Sequence, residues 1–378
     1  MDNHLHIICL NVPYPVDYGG VFDLYYKLPA LSKLGIKIHL HCFDYGRGKQ
    51  PILDQYCHEV NYYKRKTGLS GFSFHYPYIV SSRINDELTH RLAKDNYPIL
   101  MEGVHCTWLL NEDRFSSRKL FVRLHNVEHI YYHFLYKNTP SLYKKIYYSW
   151  ESYLLKRYEK RIAKKTTFLA VSNNDAEIYQ SLGATDSQYL PLFLPEWEIK
   201  ATEGKGSFCL YQGDLSVPEN EIAAIWLLEN VFIKNKIPFV AAGKNPSKKL
   251  TKLFYKQNTT CIIENPSEKE MQDLIRKAHI NLIPSFNNTG IKLKLINALY
   301  NGRHCVVNPS TIIGTGLNEC CTIGETAEEF STIVEELYNK PFTNDQIKMR
   351  SVLLNNMFNN SNNAIKLSGI LNLKIATQ

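Results

Sequence analysis

Nothing in the 378-residue sequence approaches the run of about 18 apolar residues that a membrane-crossing helix requires, so a transmembrane helix is excluded. The opening Met1-Asp2-Asn3-His4 carries no basic stretch, and the apolar run 5–12 is short and broken by His6 and Asn11. It reads as a first strand rather than a signal peptide. Cysteine shows no pairing pattern: the nine residues are an odd number, no Cys-x-x-Cys occurs, and several sit inside apolar runs as small hydrophobes. A reducing cytoplasm is the expected compartment. Two phosphate-binding signatures are missing. No Gly-x-Gly-x-x-Gly follows the first strand, which disfavours a dinucleotide-dependent oxidoreductase, and no Gly-x-x-x-x-Gly-Lys-Ser/Thr marks a P-loop enzyme.

Positive charge, by contrast, is abundant and concentrated. The chain carries 44 Lys+Arg against 36 Asp+Glu, a formal charge of +8. Residues 131–165 hold nine Lys and Arg (from Lys137 to Lys165) against Glu151 and Glu159 alone, interleaved with eight Tyr and Trp150. No Gly or Pro follows Pro140 in this stretch, which predicts a long helix. Two readings stand. The basic, aromatic helix suits an anionic membrane surface, where amphipathic rings sit at headgroup level, making the protein peripheral on the inner face. Alternatively it is a solvated helix whose aromatic residues pack inward. No nucleic-acid-binding motif accompanies the charge, so no nucleic acid is expected as a partner.

With 44% hydrophobic residues the chain is an ordinary globular sequence, long enough for two domains. Apolar strands are expected at 5–10, 36–42, 97–101, 119–124 and 167–171, with a helix over 21–34 and another capped by Ser172. The stretch 189–199 breaks the alternation with Pro191 and Pro195, and 201–206 is polar. Strands then return at 207–212, 238–242, 260–263, 280–284 and 304–307. Helices are expected between them, at 219–231, 247–257, 268–278 and 292–300, with another at 327–338. The fold class is therefore α/β: two Rossmann-like doubly wound domains, 1–198 and 199–359, facing across a cleft. The Asn-rich run 355–363 reads as a loop, and a last helix over about 360–378 is expected to pack back on the first domain.

Three segments could carry chemistry. In Asp17-Tyr18-Gly19-Gly20, at the first strand-to-helix junction, paired glycines let backbone approach a phosphate, although an ordinary tight turn has the same composition. Residues 287–299 follow an apolar strand and are expected to open a helix whose first turn carries Thr289, Gly290, Ile291 and Lys292. Free amides plus a lysine cradle a diphosphate, and Asn297, further along, could bond a ribose. His125-Asn126-Val127-Glu128-His129 follows the strand 119–124, and His105 follows the strand 97–101.

Segment 287–299 resembles the donor-binding signature of GT-B glycosyltransferases, most closely the retaining family four. So do Tyr211-Gln212-Gly213-Asp214-Leu215-Ser216-Val217-Pro218-Glu219-Asn220, Ala241-Ala242-Gly243 and Gly314-Thr315-Gly316-Leu317, and residues 14–20 resemble the family's N-terminal glycine loop. The resemblance runs in order along essentially the whole chain. It implies a retaining hexosyltransferase that uses a UDP- or GDP-linked sugar, no cofactor and no metal, and a saccharide or lipid-linked glycan as acceptor, as in surface-polysaccharide synthesis. By position, Lys292 and Lys294 would meet the donor phosphates, and Thr289, Gly290, Ile291 and Asn297 would line the nucleotide. Gly19 and Gly20 would face the diphosphate, Gly213 and Asp214 would border it, and Pro266 would border the base. His125 would lie beside the transferred sugar, with His105 and Glu128 on the acceptor side. The sequence departs from the family at four places. The usual Glu-x7-Glu pair is Thr289 and Asn297, and the Arg and Lys after the first C-domain strand are Asp214 and Asn220.

Three other readings remain at this level. The missing pairs admit a non-catalytic nucleotide- or glycan-binding relative. A nucleotide-sugar epimerase would share the fold but lacks its proton-abstracting groups. His125-x-x-Glu128-His129 also spells a zinc metallopeptidase motif, extended by His133; the apolar residues before His125 argue for a strand end, which would scatter the two His.

Overall fold

The structure is a computed structural model that describes residues 3–17, 19–233 and 235–374. The chain divides into two compact units, Met1–Pro195 with Phe358–Gln378, and Glu196–Met357.

In the first unit, strands β1 (His4–Cys9), β2 (Lys37–Asp44), β3 (Glu59–Lys64), β4 (Ile99–Glu102), β5 (Leu120–Leu124), β6 (Thr167–Ala170) and β7 (Ser187–Tyr189) form one parallel sheet. Its order is β3-β2-β1-β4-β5-β6-β7. The central strands are buried on both faces, as near-continuous apolar runs dictate. Strand alternation splits them between two cores: Leu5, Ile7 and Cys9 face one side, Ile8 the other. Strand order reverses between β1 and β4, so the carboxyl ends of β1 and β4 flank the crevice where doubly wound sheets bind ligands. Edge strands β3 and β7 escape sequence reading, β3 because polar residues interrupt its apolar positions and β7 because it is only three residues long.

The last helix, Asn360–Ile370, lies on the helix Gly19–Lys33 of this unit: Ala364, Leu367 and Leu371 share a core with Leu24, Leu28 and Leu31. Asn360 clamps it by exchanging two hydrogen bonds with Leu194, at 2.6 and 3.1 Å. The helix stops earlier than the sequence suggests, where Asn372 turns left-handed (φ 54°); residues 375–378 lie outside the described residues. The Asn-rich run is not a loop either. It is shared between the helices Asn344–Met357 and Asn360–Ile370, the second capped by the side chain of Asn359 on the amide of Asn362.

In the second unit, β8 (Cys209–Asp214), β9 (Phe239–Lys244), β10 (Thr260–Glu264), β11 (Ile280–Ile283), β12 (His304–Val307) and β13 (Thr322–Ile323) form a parallel sheet ordered β10-β9-β8-β11-β12-β13. Here the reversal falls between β8 and β11. The ends of β8 and β9 approach so closely that a Cβ on Gly243 would lie 1.8 Å from the carbonyl oxygen of Gly213. Only glycine permits that contact. The expected helix 219–231 is two pieces, Pro218–Trp226 and a single π turn Leu227–Val231.

Candidate active site

In the first unit the chemistry collects beside the β1/β4 switch. Glu102 closes β4 and is fully buried; Arg123, its register partner on β5, is fully buried too. Helix Gly19–Lys33 presents Asp23 and Lys27, four residues apart on one face. The ammonium of Lys27 lies 2.5 Å from Glu102 Oε1 and 3.1 Å from Asp23 Oδ2. Arg123 grips Asp23 bidentately, Nε to Oδ2 at 2.9 Å and Nη2 to Oδ1 at 2.8 Å, and donates to the carbonyls of Leu190 (2.7 Å) and Pro191 (3.0 Å). His125, the residue after β5, donates Nε2–H to Glu102 Oε2 at 3.0 Å.

Burial would raise both carboxylates, but the cations outweigh it. Arg123 and Lys27 hold Asp23 far below its ordinary value; Lys27 and the His125 hydrogen bond hold Glu102 below its own. Two carboxylates and two cations cancel, which is the condition for leaving four charges out of water. Ligating atoms of Asp23, Glu102 and His125 lie within 4.8 Å of one another, the spacing of a metal site. The place between the two carboxylates, however, is held by the Lys27 ammonium. The Glu102 carboxylate thus orients the His125 ring through its Nε2–H.

The two histidines of the metallopeptidase motif part company. His125 turns to Glu102, whereas His129, in the helix Glu128–Asn138, donates Nδ1–H to Glu159 at 2.6 Å. Glu159 also accepts the amides of Glu128 and His129 and the hydroxyl of Tyr179. His133 packs its ring against Tyr136. Glu128 itself is buried, and burial, with Glu159 and Asp175 nearby, pushes its carboxyl up to about 8. At neutral pH it is mainly a carboxylic acid, a donor rather than the carboxylate the sequence suggests. A raised carboxyl favours folding fully below the unfolded value, and that contribution is lost as pH rises towards about 8. Glu128→Gln should therefore raise the melting temperature at pH 8 and leave it nearly unchanged at pH 5; equal shifts at the two pH values would count against a buried acid.

His105 sits in the turn after β4. Its Nδ1 is buried and has no hydrogen-bond partner among the described residues, and burial with Arg83 and Arg65 keeps the ring neutral. Gly19 and Gly20 open the helix Gly19–Lys33, just before Asp23; Tyr18 lies outside the described residues. Asp17 is ion-paired with Arg47.

In the second unit the helix of the donor segment begins at Leu293, not at Thr289, with Lys292 as its N-cap. Gly290 adopts φ 66°, and Thr289 is buried and tied to Asn287 Oδ1 through its amide (3.2 Å) and hydroxyl (3.0 Å). Residues 289–291 thus form a turn ahead of the helix. Lys292 Nζ donates to Thr289 O at 3.1 Å and lies 3.5 Å from Glu219 Oε1, which also accepts the hydroxyl of Ser285 at 2.6 Å. Lys294 turns inward. Its Nζ donates to Tyr211 Oη and Asn220 Oδ1, both at 2.9 Å, and burial lowers it to about 8. Asn297, on that helix, accepts at its Oδ1 from Asn301 Nδ2 at 2.8 Å.

Gly213 and Asp214 lie at the end of β8. Asp214 accepts from the amide and hydroxyl of Ser216, and a Cβ on Gly213 would lie 3.1 Å from Asn220. Pro266 sits two strands away, after β10, just before a helix closed by the capping box of Ser267 and Glu270. Lys292 and Lys294 are therefore brought beside the β8 end, whereas Asn297 and Pro266 are held by other contacts or lie farther along the sheet. Sequence reasoning missed Asp23, Lys27, Glu102 and Arg123 in one unit and Glu219 and Ser285 in the other. The visible signals were a carboxylate closing an apolar strand, an Arg inside another, and an Asp/Lys pair four apart on an apolar helix.

No protein-family model matches the chain. It is similar to an uncharacterized 44.6 kDa protein in the cps region of Klebsiella pneumoniae, at 27% identity over 330 residues, covering 82% of this chain and 84% of that one. Among solved structures it resembles Anabaena Alr3699/HepE in complex with UDP and glucose, with TM-score 0.65 and 10% identity, covering 98% of this chain and 100% of that one. It also resembles a glycosyltransferase from Rickettsia africae, with TM-score 0.64 and 14% identity, covering 98% of each chain. The fold is GT-B, with two Rossmann-like units.

Proposed function

We propose that this chain is a glycosyltransferase that moves a hexose from a UDP- or GDP-linked donor to a saccharide or lipid-linked glycan acceptor, with retention of configuration. The observation that carries the reading is the full-length likeness in fold to a structure that holds UDP and glucose. The Klebsiella relative from a cps region supports a role in surface-polysaccharide synthesis.

In this reading Lys292, the turn 289–291 and the β8 end around Gly213 and Asp214 receive the donor diphosphate. His125, oriented by Glu102, hydrogen-bonds the sugar, and His105 and Glu128 border the acceptor. In the first unit Gly19 and Gly20 open a helix whose amides suit a phosphate. The bond from the anomeric carbon to the diphosphate oxygen breaks, the bond to the acceptor oxygen forms, and the acceptor proton passes to the leaving diphosphate. Lys292 and backbone amides meet the charge that develops, so the reaction needs neither metal nor cofactor.

The pairing of Lys292 with Glu219 favours a second reading, a protein that binds a nucleotide sugar without turning it over. Thermal shift of the full chain against UDP, GDP, CDP and ADP, each with and without EDTA, tests the first. A rise with UDP or GDP that ignores EDTA is expected. No rise with any nucleotide would overturn it, and binding without transfer or hydrolysis of the matching sugar would select the second.

A further inference from the structure

The helix Leu142–Ile162 is two-faced along its length. Its second half buries Leu154, Leu155, Tyr158 and Ile162. Its first half leaves Leu142, Ile146, Trp150 and Tyr153 exposed at spacings of four, four and three, a single stripe, with Leu142 74% and the flanking Tyr143 83% accessible. The acids of this segment do not reach the surface. Glu151 is buried and accepts the amide of Tyr78 at 2.8 Å, and Glu159 is buried under the amides of residues 128 and 129. Lys144, Lys156, Arg157, Lys160 and Arg161 are all exposed, so the surface keeps its full positive charge.

A second segment of the same unit repeats this chemistry. Between Glu59 and Asp86 there is no acidic residue, and Lys64, Arg65 and Lys66 lead into a loop that exposes Leu69 (93%), Phe72 and Phe74 (72%). Phe72 and Phe74 support each other edge to face at 4.8 Å rather than burying themselves. Two contacts set this loop beside the helix: the Tyr78 amide on Glu151, and the Arg161 guanidinium 5.2 Å above the Tyr76 ring.

We propose that residues 69–74 and the 142–153 stripe form one surface that seats in the headgroup layer of an anionic lipid bilayer. Apolar and aromatic side chains ringed by exposed Lys and Arg match that layer in both polarity and charge. A second copy of the chain would fit badly, because a two-fold contact would set the same cations against each other. No helix among the described residues is long and apolar enough to cross a membrane, so the contact would be peripheral. The proposal deepens the reading above by placing the acceptor at a membrane, yet vesicle binding needs neither donor nor acceptor and is judged separately.

The test is co-sedimentation of the full chain with vesicles of phosphatidylcholine, with or without phosphatidylglycerol, at low and high salt. Binding to the phosphatidylglycerol vesicles that fades with salt is expected. Phe72→Ser/Phe74→Ser and Ile146→Ser/Trp150→Ser should each weaken it by about 10-fold, from the apolar area withdrawn. Lys144→Gln should cost roughly 5-fold. The melting temperature of each variant without ligand serves as its folding control. Failure to bind anionic vesicles, or variants that bind like the parent, would overturn the proposal. Loss only in the helix variant would overturn the shared surface, and a dimer dissolved by these variants without vesicle binding would assign the surface to self-association instead.

Discussion

Replacing Arg123 with Met should destabilise the first unit by roughly 3–5 kcal/mol, the cost of breaking a buried ion pair from one side. Arg123 is fully buried, and its loss strands the Asp23 carboxylate between Lys27 and the amide of Phe193 while orphaning the carbonyls of Leu190 and Pro191. With one cation gone, Lys27 must answer both Asp23 and Glu102. Arg123→Lys should recover little, because one ammonium cannot reproduce the fork on Asp23 and reach two carbonyls at once. The double variant Asp23→Asn/Arg123→Met should be less damaged than the sum of its parts, since neither charge is then left alone. Urea unfolding followed by tryptophan fluorescence reads all three. A loss below about 1 kcal/mol for Arg123→Met would mean that water reaches the cluster and that the pair is worth no more than a surface one.

Lys292→Ala should reduce transfer by two to three orders of magnitude, about what is lost when one preorganised group facing a developing charge is removed. Lys292 caps the helix Leu293–Asn301 beside the turn at Gly290, and the other lysine of the segment is committed elsewhere, Lys294 being bound to Tyr211 and Asn220. Isothermal titration with UDP and GDP separates binding from turnover. Unchanged affinity and rate would remove Lys292 from the site. Glu219→Gln should act with the opposite sign on nucleotide affinity, strengthening it several-fold, because it removes the carboxylate that competes with phosphate for Lys292 while still accepting from Ser285. Lys294→Met should chiefly lower stability, since it unties Tyr211 and Asn220 from the helix start.

Three local features escape the sequence for three physical reasons. The helix expected at 292–300 starts within a residue of that range, but the sequence does not reveal that Gly290 takes a left-handed φ and sets 289–291 in a turn ahead of it. Glu102 and Arg123 look like ordinary strand termini and interiors until the sheet register sets them side by side. The Asn-rich run reads as a loop because Asn is a weak helix former, whereas Asn359 caps the last helix, which begins inside that run.

By itself, the sequence determined the fold class, because apolar strands alternating with amphipathic helices can bury their surface only as covered parallel sheets, and each β–α junction then falls at a carboxyl edge; where the strand order reverses was set by the sheet topology. It also determined that His125 would stand at such an edge and that the chain's positive charge would collect on one helix. Tertiary structure alone decided which charges are neutralised. Asp23, Lys27, Glu102 and Arg123 come from three elements up to 100 residues apart, and Glu151 and Glu159 are buried while their basic neighbours stay exposed. Pairing and desolvation depend on distances of a few ångströms between remote segments, and no local pattern of residues fixes those distances.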